Sequence, residues 1–232
     1  MTGVSALMGA YNAERYVVAA VESVLAQTLP PSEVIVVDDG STDGTVAALR
    51  AFGDRIKLVE APHRGAPAAF ATAVEASCGP LLAFNDADDL WAPTKLALQS
   101  QALADDPTLE AVFGEVQQFV SPDWAQAPIP RFPPQAGVSK IGMLVRRSAF
   151  LRVGSFDASF QLNEFPDWYA RALSCGLRSR QLPEIVAFRR LHAGNVGRIR
   201  RDEARDEQLL ALKRRLDARR AARQRDSSND HP

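Results

Sequence analysis

Residues 5–45 read SALMGAYNAERYVVAAVESVLAQTLPPSEVIVVDDGSTDGT and alternate between two hydrophobic periods. The apolar run from Val4 to Met8 predicts a short strand. Asn12 can cap the helix that follows, which runs to about Gln27 with its apolar residues on one face. Glu33 to Asp39 is a continuous β-branched run, typical of a strand that is buried on both faces. This stretch therefore predicts a strand, a helix and a second strand in succession.

The same alternation continues further along the chain. The loop GSTDGT leads into a helix that ends at about Phe52, and Ile56 to Glu60 is predicted as a third strand. Ala66 to Ser77 is predicted as a helix and Leu81 to Asn85 as a fourth strand. Strand and helix thus alternate four times, which predicts an α/β fold with a mostly parallel sheet flanked by helices.

Composition limits the class of protein. The chain has 232 residues and a formal net charge of -1, which fits one domain with an appendage and argues against nucleic acid as a partner. Cys78 and Cys175 lie far apart and lack metal-ligand spacing, which indicates free thiols in a reducing compartment. No stretch approaches the roughly 18 apolar residues of a membrane span, and the N-terminus has no leader pattern. We therefore expect a cytoplasmic protein.

Three aspartates crowd into FNDADDLW, residues 84–91, directly behind the fourth predicted strand. Asp86, Asp88 and Asp89 repel one another, so the cluster needs a compensating interaction. Acidic residues are common in turns and at helix N-termini, and a helix is predicted from Lys95 to Ala104. The alternative is a site for Mg²⁺ or Mn²⁺, which prefer carboxylate oxygens.

Polar residues follow three of the four predicted strands. Ala10-Tyr11-Asn12 comes after the first strand, Asp38 to Ser41 after the second, and the aspartates after the fourth. The carboxyl ends of parallel strands meet at one edge of a sheet, where such folds bind their ligands. The sequence therefore predicts a ligand site at this edge.

The chain beyond residue 120 is less regular. Five prolines between Ser121 and Val138 exclude regular helix and central strand and predict a long, acceptor-facing loop. A strand at Gly142 to Val145, a short helix, a helix opened by Pro166 and the strand IVAFRRLH follow. Asp202 to Arg225 is basic with leucines at helical spacing, and the last seven residues have the composition of a frayed tail.

The segments AYNAERYVVAAVESVLAQTLPPSEVIVVDDGSTDGT and FNDADDLW together closely resemble the family 2 glycosyltransferases, nucleotide-sugar-dependent enzymes with the Rossmann-like GT-A fold. The resemblance covers about residues 4–197. It implies a GT-A domain over residues 1–201, with a nucleotide-binding part (1–120) and an acceptor-side part (121–201), followed by a basic C-terminal helix and disordered tail (202–232). It further implies an inverting, divalent-metal-dependent transfer of a sugar from a nucleotide-sugar, a UDP-sugar, to a hydroxyl or another nucleophile.

The resemblance also implies roles for individual residues. Tyr11 matches the aromatic that packs on the base, and Asp39 matches the carboxylate that accepts from the uracil N3–H. Asp86-Ala87-Asp88 matches the DxD signature, in which Asp88 coordinates Mn²⁺ or Mg²⁺ and Asp86 holds the ribose or a metal-bound water. The implied nucleotide-sugar contacts are Ala10, Tyr11, Glu14, Asp39, Arg64, Gly65, Asp86, Ala87 and Arg190, and the implied metal ligands are Asp88 and His192.

Two segments depart from the family pattern. Similar enzymes take the acceptor proton with a carboxylate from a Glu-Asp pair that opens a helix. This chain has Phe165 near the position of that Asp, so Asp167 is our first choice for the base and Glu164 the second. Similar enzymes also often carry Ala-Arg-Asn where this chain has Ala69-Phe70-Ala71, and Arg64 is the candidate substitute for the missing arginine.

Other functions stay open from the sequence. A sugar nucleotidyltransferase has a related sheet, but MGAYNAERY lacks its glycine-rich basic loop. A catalytically impaired module that only binds a nucleotide-sugar is a second alternative. The acceptor is open among a polysaccharide, a lipid, a small natural product and a peptide. The basic C-terminal helix could cap the fold, dock a partner or an acidic acceptor, or bind weakly to an anionic membrane surface. In the last case the protein would be a peripheral membrane protein.

Overall fold

The computed structural model describes residues 3–122 and 138–195. Most of the proline-rich segment and the whole basic C-terminal segment lie outside the described residues. The predictions of an acceptor-facing loop, a C-terminal helix and a frayed tail therefore stay predictions, as do the domain limits at residues 120 and 201.

Strands and helices alternate through the first half of the chain as predicted. The strands are β1 (Val4–Ala10), β2 (Glu33–Asp39), β3 (Lys57–Ala61), β4 (Leu81–Asp86), β5 (Leu90–Trp91), β6 (Ala111–Val120), β7 (Met143–Arg146) and β8 (Ser179–Leu191). The helices are α1 (Val17–Leu25), α2 (Thr45–Arg50), α3 (Ala66–Ala76), α4 (Lys95–Asp105), α5 (Arg147–Val153) and α6 (Glu164–Ser174), with a 3₁₀ turn at Gly53–Arg55. The sequence interpretation missed β5 and β6.

The strands form one sheet in the order β3-β2-β1-β4-β7-β6-β8-β5. β1 pairs in parallel with β2 on one side and with β4 on the other, and β2 pairs in parallel with β3. The strand order therefore reverses at β1. Such a switch point opens a crevice at the carboxyl ends of the flanking strands. The predicted fold class, a mostly parallel sheet flanked by helices, is confirmed.

The second half of the sheet brings a distant part of the chain to the same edge. β7 pairs antiparallel with both β4 and β6, and β8 pairs in parallel with β6. From β4 across the sheet, the strand direction reverses at β7 and reverses again at β6, so β8, which is parallel to β6, runs in the same direction as β4. The end of β8, with Arg190 and His192, therefore lies at the edge where the aspartates follow β4.

Each face of the sheet is covered by its own set of helices. Along β2, Val34 and Val36 belong to a core with α1, α2 and α4, whereas Ile35 and Val37 belong to a core with α3, α5 and α6. Burial of one such side chain contributes about 1.5–3 kcal/mol. The unbroken apolar run in β2 is thus explained by a strand that has a hydrophobic core on both faces.

The predicted capping role of Asn12 is wrong. α1 begins at Val17, and Asn12 lies in the turn after β1 with φ of 48°. Its amide N–H donates to Ser41 Oγ at 2.9 Å, and its side-chain Oδ1 accepts from the Thr42 N–H at 2.8 Å. Asparagine tolerates this left-handed conformation better than most residues. Asn12 therefore joins the turn after β1 to the turn after β2.

The structure bears on two expectations from composition, that no segment spans a membrane and that the two cysteines are free. Within residues 3–122 and 138–195, no helix is both long and apolar enough to cross a membrane. Cys78 and Cys175 are both exposed and free.

α4 begins with a lysine whose side chain is completely buried. Lys95 Nζ donates to Gln99 Oε1 at 2.8 Å and to the Met143 carbonyl at 3.2 Å, and it lies 5.2 Å from the centroid of the Trp91 ring. Both hydrogen-bond acceptors are uncharged, so neither offsets the loss of hydration with an opposite charge. Burial therefore lowers the pKa of Lys95 from its ordinary 10.5 to about 7.

This pKa makes the stability of the fold depend on pH. Between about pH 7 and 10.5, the unfolded chain binds the Lys95 proton and the folded chain does not. Stability should therefore rise with pH in this window, by up to about 1.4 kcal/mol per pH unit. We expect Lys95→Met to remove this rise, which urea unfolding across the window would measure. The exposed Lys57→Met is the matched control, and an unchanged pH profile in Lys95→Met would contradict the assignment.

Candidate functional site

The crevice at the switch point is a cleft of about 820 Å³. Its wall is built from the turns after β1 and β4, the end of β2, the loop before α3, the segment before β7, the start of α6 and the end of β8. Most predicted site residues line it, namely Ala10, Tyr11, Asp39, Arg64, Gly65, Asp86, Ala87, Asp88, Glu164 and His192. Glu14, Asp167 and Arg190 do not.

One end of the cleft carries an aromatic pair. Tyr11 stacks on the His63 ring with centroids 4.0 Å apart and an interplanar angle of 20°. The exposed fraction of Tyr11 is 46%, so much of the residue is open to solvent. His63 Nδ1 lies 2.8 Å from Asp39 Oδ2 and 3.0 Å from the Asp39 carbonyl oxygen. The pair offers a flat surface on which a base can stack, directly beside a carboxylate.

That carboxylate organises the loop before α3. Asp39 Oδ1 accepts from the Arg64 N–H at 2.9 Å, and Oδ2 accepts from the Gly65 N–H at 2.8 Å. Gly65 has φ of 91°, a left-handed conformation that favours glycine, and a Cβ at this position would also meet the Gln161 side chain. Asp39 is buried, but its Oδ1 has a second lone pair for a ligand, whereas Oδ2 also faces His63 Nδ1.

Asp86 faces a lysine that the sequence interpretation did not single out. Lys140 Nζ lies 2.8 Å from Asp86 Oδ1 and 2.8 Å from Glu164 Oε1. Lys140 and Glu164 are both buried, whereas Asp86 is partly exposed to the cleft. One ammonium thus links the end of β4 to the start of α6.

Asp88 faces the end of β8. Its Oδ2 lies 3.0 Å from His192 Nε2 and accepts from Asn195 Nδ2 at 3.4 Å. The Tyr16 ring packs against His192 with centroids 4.5 Å apart. The fold thus brings Asp88 and His192, the two predicted metal ligands, into contact although they lie 104 residues apart in the sequence.

Asp89 and Arg190 form a third junction between the same two segments. Asp89 Oδ1 accepts from the Arg190 N–H at 2.7 Å, and Arg190 Nε donates to the Asp88 carbonyl at 2.9 Å. The Arg190 guanidinium lies 5.0 Å from the Tyr16 ring and 4.7 Å from the Phe119 ring. Arg190 therefore holds the aspartate segment and does not line the cleft, and its contact with a phosphate stays a prediction. The neighbouring Arg189 is exposed and lines the cleft.

The three aspartates thus face three different partners. Burial raises the pKa of Asp86, while Lys140 opposes that rise and Asp88 adds to it. Burial also raises the pKa of Asp89 well above its ordinary value, and the charges of Asp88 and Asp86 raise it further. The protein itself therefore offsets part of the repulsion among the three aspartates.

Two further predicted residues lie away from the cleft wall. Glu14 Oε2 accepts from the Gly44 N–H at 3.0 Å, so its carboxylate supports the turn before α2 instead of facing a nucleotide. Asp167 Oδ2 accepts from Arg171 Nε at 2.9 Å one helical turn later. Asp167, the first choice for the base, is buried in an ion pair and does not line the cleft, and its role stays a prediction. Glu164, the second choice, lines it.

The sequence interpretation missed five cleft residues with charge or ring chemistry: Arg15, Tyr16, His63, Lys140 and Arg189. His63 and Arg189 were detectable, since each is adjacent to a residue that was chosen. Lys140 follows the proline-rich segment, and no spacing in the sequence relates it to Asp86 or Glu164.

A divalent cation fits the Asp88–His192 pair. Within the described part of the chain, no group of three or more His, Cys, Asp or Glu residues could by itself hold a metal ion. Asp88 Oδ2 and His192 Nε2 lie 3.0 Å apart, and a carboxylate oxygen and an imidazole nitrogen are donors that Mn²⁺ accepts. The pair would supply two ligands, and a bound diphosphate or water would supply the others.

A switch-point cleft with a stacking surface at one end and a carboxylate cluster at the other is typical of α/β enzymes that bind phosphorylated ligands. The family model of glycosyl transferase family 2 matches residues 5–154, which is more than half of the chain. The chain belongs to glycosyl transferase family 2 and is a glycosyltransferase. The resemblance found in the sequence is thereby confirmed, and the sugar nucleotidyltransferase alternative is set aside.

Two curated relatives cover most of the chain. UDP-Glc:alpha-D-GlcNAc-diphosphoundecaprenol beta-1,3-glucosyltransferase WfaP of Escherichia coli is 29% identical over 201 residues, which span 83% of this chain and 79% of that protein. The succinoglycan biosynthesis protein ExoU of Rhizobium meliloti (strain 1021) is 32% identical over 208 residues, which span 76% of this chain and 58% of that protein.

Solved structures share the fold. S. aureus TarS in complex with UDP-GlcNAc has a TM-score of 0.68 at 18% identity and covers 83% of this chain and 60% of the TarS chain. The mannosyltransferase PcManGT from Pyrobaculum calidifontis, in complex with GDP-Man and Mn²⁺, has a TM-score of 0.66 at 24% identity and covers 85% of this chain and 59% of that chain. The GT-A fold is confirmed by these similarities.

The two adjacent arginines of β8 should respond differently to mutation. Arg190→Met should lower the free energy of unfolding by about 1–3 kcal/mol, because it removes a charged hydrogen bond and two ring contacts. Arg189→Met should leave stability unchanged and weaken the binding of a nucleoside diphosphate. Urea unfolding and calorimetric titration with UDP would measure both effects. The reverse pattern would contradict the placement of these side chains.

Proposed function

We propose that the enzyme transfers a hexosyl group from a UDP-sugar to an acceptor hydroxyl, with inversion at the anomeric carbon and with the help of a divalent cation. The observation that carries this proposal is the arrangement of one cleft. Asp39 and Tyr11 stand at one end, the Asp88–His192 pair at the end of β4, and the buried Glu164 on the α6 side. The cleft thus offers Asp39 and Tyr11 for the nucleobase, the Asp88–His192 pair for the cation that binds the diphosphate, and Glu164 for the acceptor.

The donor base is proposed to be uracil. Asp39 can accept one hydrogen bond from the uracil N3–H while it keeps its two backbone donors, and Tyr11 offers a face for the ring. WfaP carries UDP-Glc in its name, and TarS was solved with UDP-GlcNAc. PcManGT was solved with GDP-Man, so a GDP-sugar is the competing donor. We propose UDP-glucose as the first donor to test.

Asp88 and His192 would hold the cation. A bound Mn²⁺ or Mg²⁺ would act as a Lewis acid that stabilises the departing nucleoside diphosphate. The residues around it keep their own tasks: Arg190 fixes the Asp88 backbone, and Asn195 bonds the Asp88 carboxylate. Arg189, exposed on the cleft wall, is proposed to pair with a phosphate.

Glu164 is proposed as the general base. It accepts the proton of the acceptor hydroxyl while the acceptor oxygen forms a bond to the anomeric carbon on the face opposite the diphosphate. The bond between that carbon and the diphosphate oxygen breaks, and the electron pair leaves with UDP. A single displacement of this kind inverts the anomeric centre.

The acceptor is proposed to be a hydroxyl of a lipid-linked sugar. This proposal rests on WfaP, whose name gives alpha-D-GlcNAc-diphosphoundecaprenol as the acceptor. The remaining acceptor classes are a polysaccharide, a small natural product and a peptide. A short-chain analogue of GlcNAc-diphospholipid, offered with UDP-glucose and Mn²⁺, is the direct test of this acceptor.

A binding module without turnover is the second candidate. The specific observation in its favour is Phe165, which packs with Phe113, Trp168 and Tyr169 where similar enzymes place their catalytic aspartate. The discriminating experiment is release of UDP from a panel of UDP-sugars and of GDP from GDP-mannose. A protein that binds UDP but releases none from any donor is the binding module.

The metal proposal predicts the behaviour of Asp88→Ala. This variant should lose the Mn²⁺-dependent part of UDP binding and the transfer activity, since one of the two protein ligands is gone. The fold should survive, because a carboxylate that repels Asp86 and Asp89 is removed. Titration with UDP in Mn²⁺ and in excess EDTA would measure this, with the exposed Asp54→Asn as control. Full activity of the wild type in excess EDTA would contradict the metal proposal.

The base proposal predicts a contrast between two carboxylates of α6. Glu164→Gln should lower the rate of UDP release by at least about 10²-fold, the loss typical of a missing general base. Asp167→Asn should keep the rate but destabilise the fold, because Arg171 loses its charged partner. Rates and urea midpoints of both variants are the measurement. Normal activity in Glu164→Gln together with an inactive Asp167→Asn would contradict this proposal and assign the general base to Asp167.

A further inference from the structure

Lys140 joins two carboxylates that belong to opposite sides of the cleft. Its Nζ lies 2.8 Å from Asp86 Oδ1, at the end of β4, and 2.8 Å from Glu164 Oε1, at the start of α6. The Lys140 side chain is only 8% exposed. A buried ammonium held equally by two carboxylates has a fixed position, and it fixes theirs.

The charge of this lysine is secured by its surroundings. Burial alone would lower the pKa of Lys140, but the Asp86 and Glu164 carboxylates outweigh burial and raise it above its ordinary value. The ammonium is therefore charged at neutral pH. It offsets one of the two negative charges, which would otherwise repel each other in a region of low dielectric constant.

The position of Lys140 also accounts for a departure from the family pattern. Its Nζ lies 4.2 Å from the centroid of the Phe70 ring, a cation–π contact. Phe70 is the residue of Ala69-Phe70-Ala71 that stands where similar enzymes carry arginine. A cation thus reaches this part of the cleft from the segment before β7, in place of the one that α3 lacks. The earlier candidate substitute, Arg64, contributes its backbone N–H to Asp39.

We propose that Lys140 is the positioning residue for glycosyl transfer: it holds the Glu164 carboxylate in the orientation that faces the cleft. This inference rests on the proposed function, because it serves the base named there. Lys140 itself exchanges no proton. The acceptor proton moves to Glu164 while the new glycosidic bond forms and UDP departs.

Charged groups from three elements surround Glu164. Lys140 contacts it from the segment before β7, and Asp86 faces the same ammonium from the end of β4. Asp167 lies on the same helix but is paired with Arg171. Loss of the ammonium would leave the Glu164 and Asp86 carboxylates without the cation that holds both of them in place.

Turnover by Lys140→Met and Lys140→Arg tests the positioning role, with the buried Lys95→Met as control. The probe is release of the nucleoside diphosphate from UDP-glucose, or from the first panel donor that the wild type uses, in Mn²⁺. We expect Lys140→Met to lower kcat by about 10²-fold. UDP affinity should change far less than kcat, and Lys140→Arg should recover part of the rate.

The contacts themselves are tested without turnover by a double-mutant cycle of unfolding free energies. Glu164→Gln should destabilise the wild type but partly restore Lys140→Met, because it removes a carboxylate that has lost its cation. Strictly additive effects overturn the inference whether or not the enzyme is active. An unchanged kcat in Lys140→Met also overturns it and leaves the proposed function intact. A wild type that binds UDP but uses no donor overturns the proposed function instead.

Discussion

Repulsion among three carboxylates at the end of a buried strand is the constraint on which the cleft depends. Asp86, Asp88 and Asp89 follow β4 within four residues, where the dielectric constant is low and like charges repel strongly. The fold separates them by giving each its own partner: the Lys140 ammonium, the His192 ring and the backbone N–H of Arg190. Because these partners come from distant parts of the chain, the aspartates hold the cleft together.

The topology of the sheet is what makes those partners available. β8 runs in the same direction as β4 because β7 and β6 reverse the chain twice, and this brings the end of β8 to the aspartates. At the other end of the cleft, Asp39 also holds a loop in place, since its carboxylate oxygens accept two backbone N–H hydrogen bonds from the loop before α3. Carboxylates thus serve both as anchors of the loops and as groups that face the ligand.

Periodicity predicted the strands of the α/β half of the fold to within two residues, because buried parallel strands carry strong patterns. It placed the start of α1 four residues too early, after Asn12 instead of at Val17. It missed β6, whose second half is partly polar and has no simple alternation. At the site, resemblance identified most of the residues that line the cleft. Asp167 and Arg190 do not line it, and sequence spacing cannot tell which way a side chain points from a helix or a strand.

Lys140 shows the limit of sequence reasoning most clearly. Its two partners lie 54 residues before it and 24 residues after it in the sequence, and only the folded sheet brings the three together. The same holds for the replacement of a missing arginine by a lysine from another element. Such compensation is visible in distances between atoms and leaves no local motif.

The most direct test of this account is the position of the cation relative to the three aspartates. Crystals of the protein grown with UDP and Mn²⁺, with anomalous data collected at the manganese edge, would give that position. The account predicts Mn²⁺ bound by Asp88 and His192, with Lys140 still between Asp86 and Glu164. Mn²⁺ on Asp86 with Lys140 displaced from both carboxylates would contradict it.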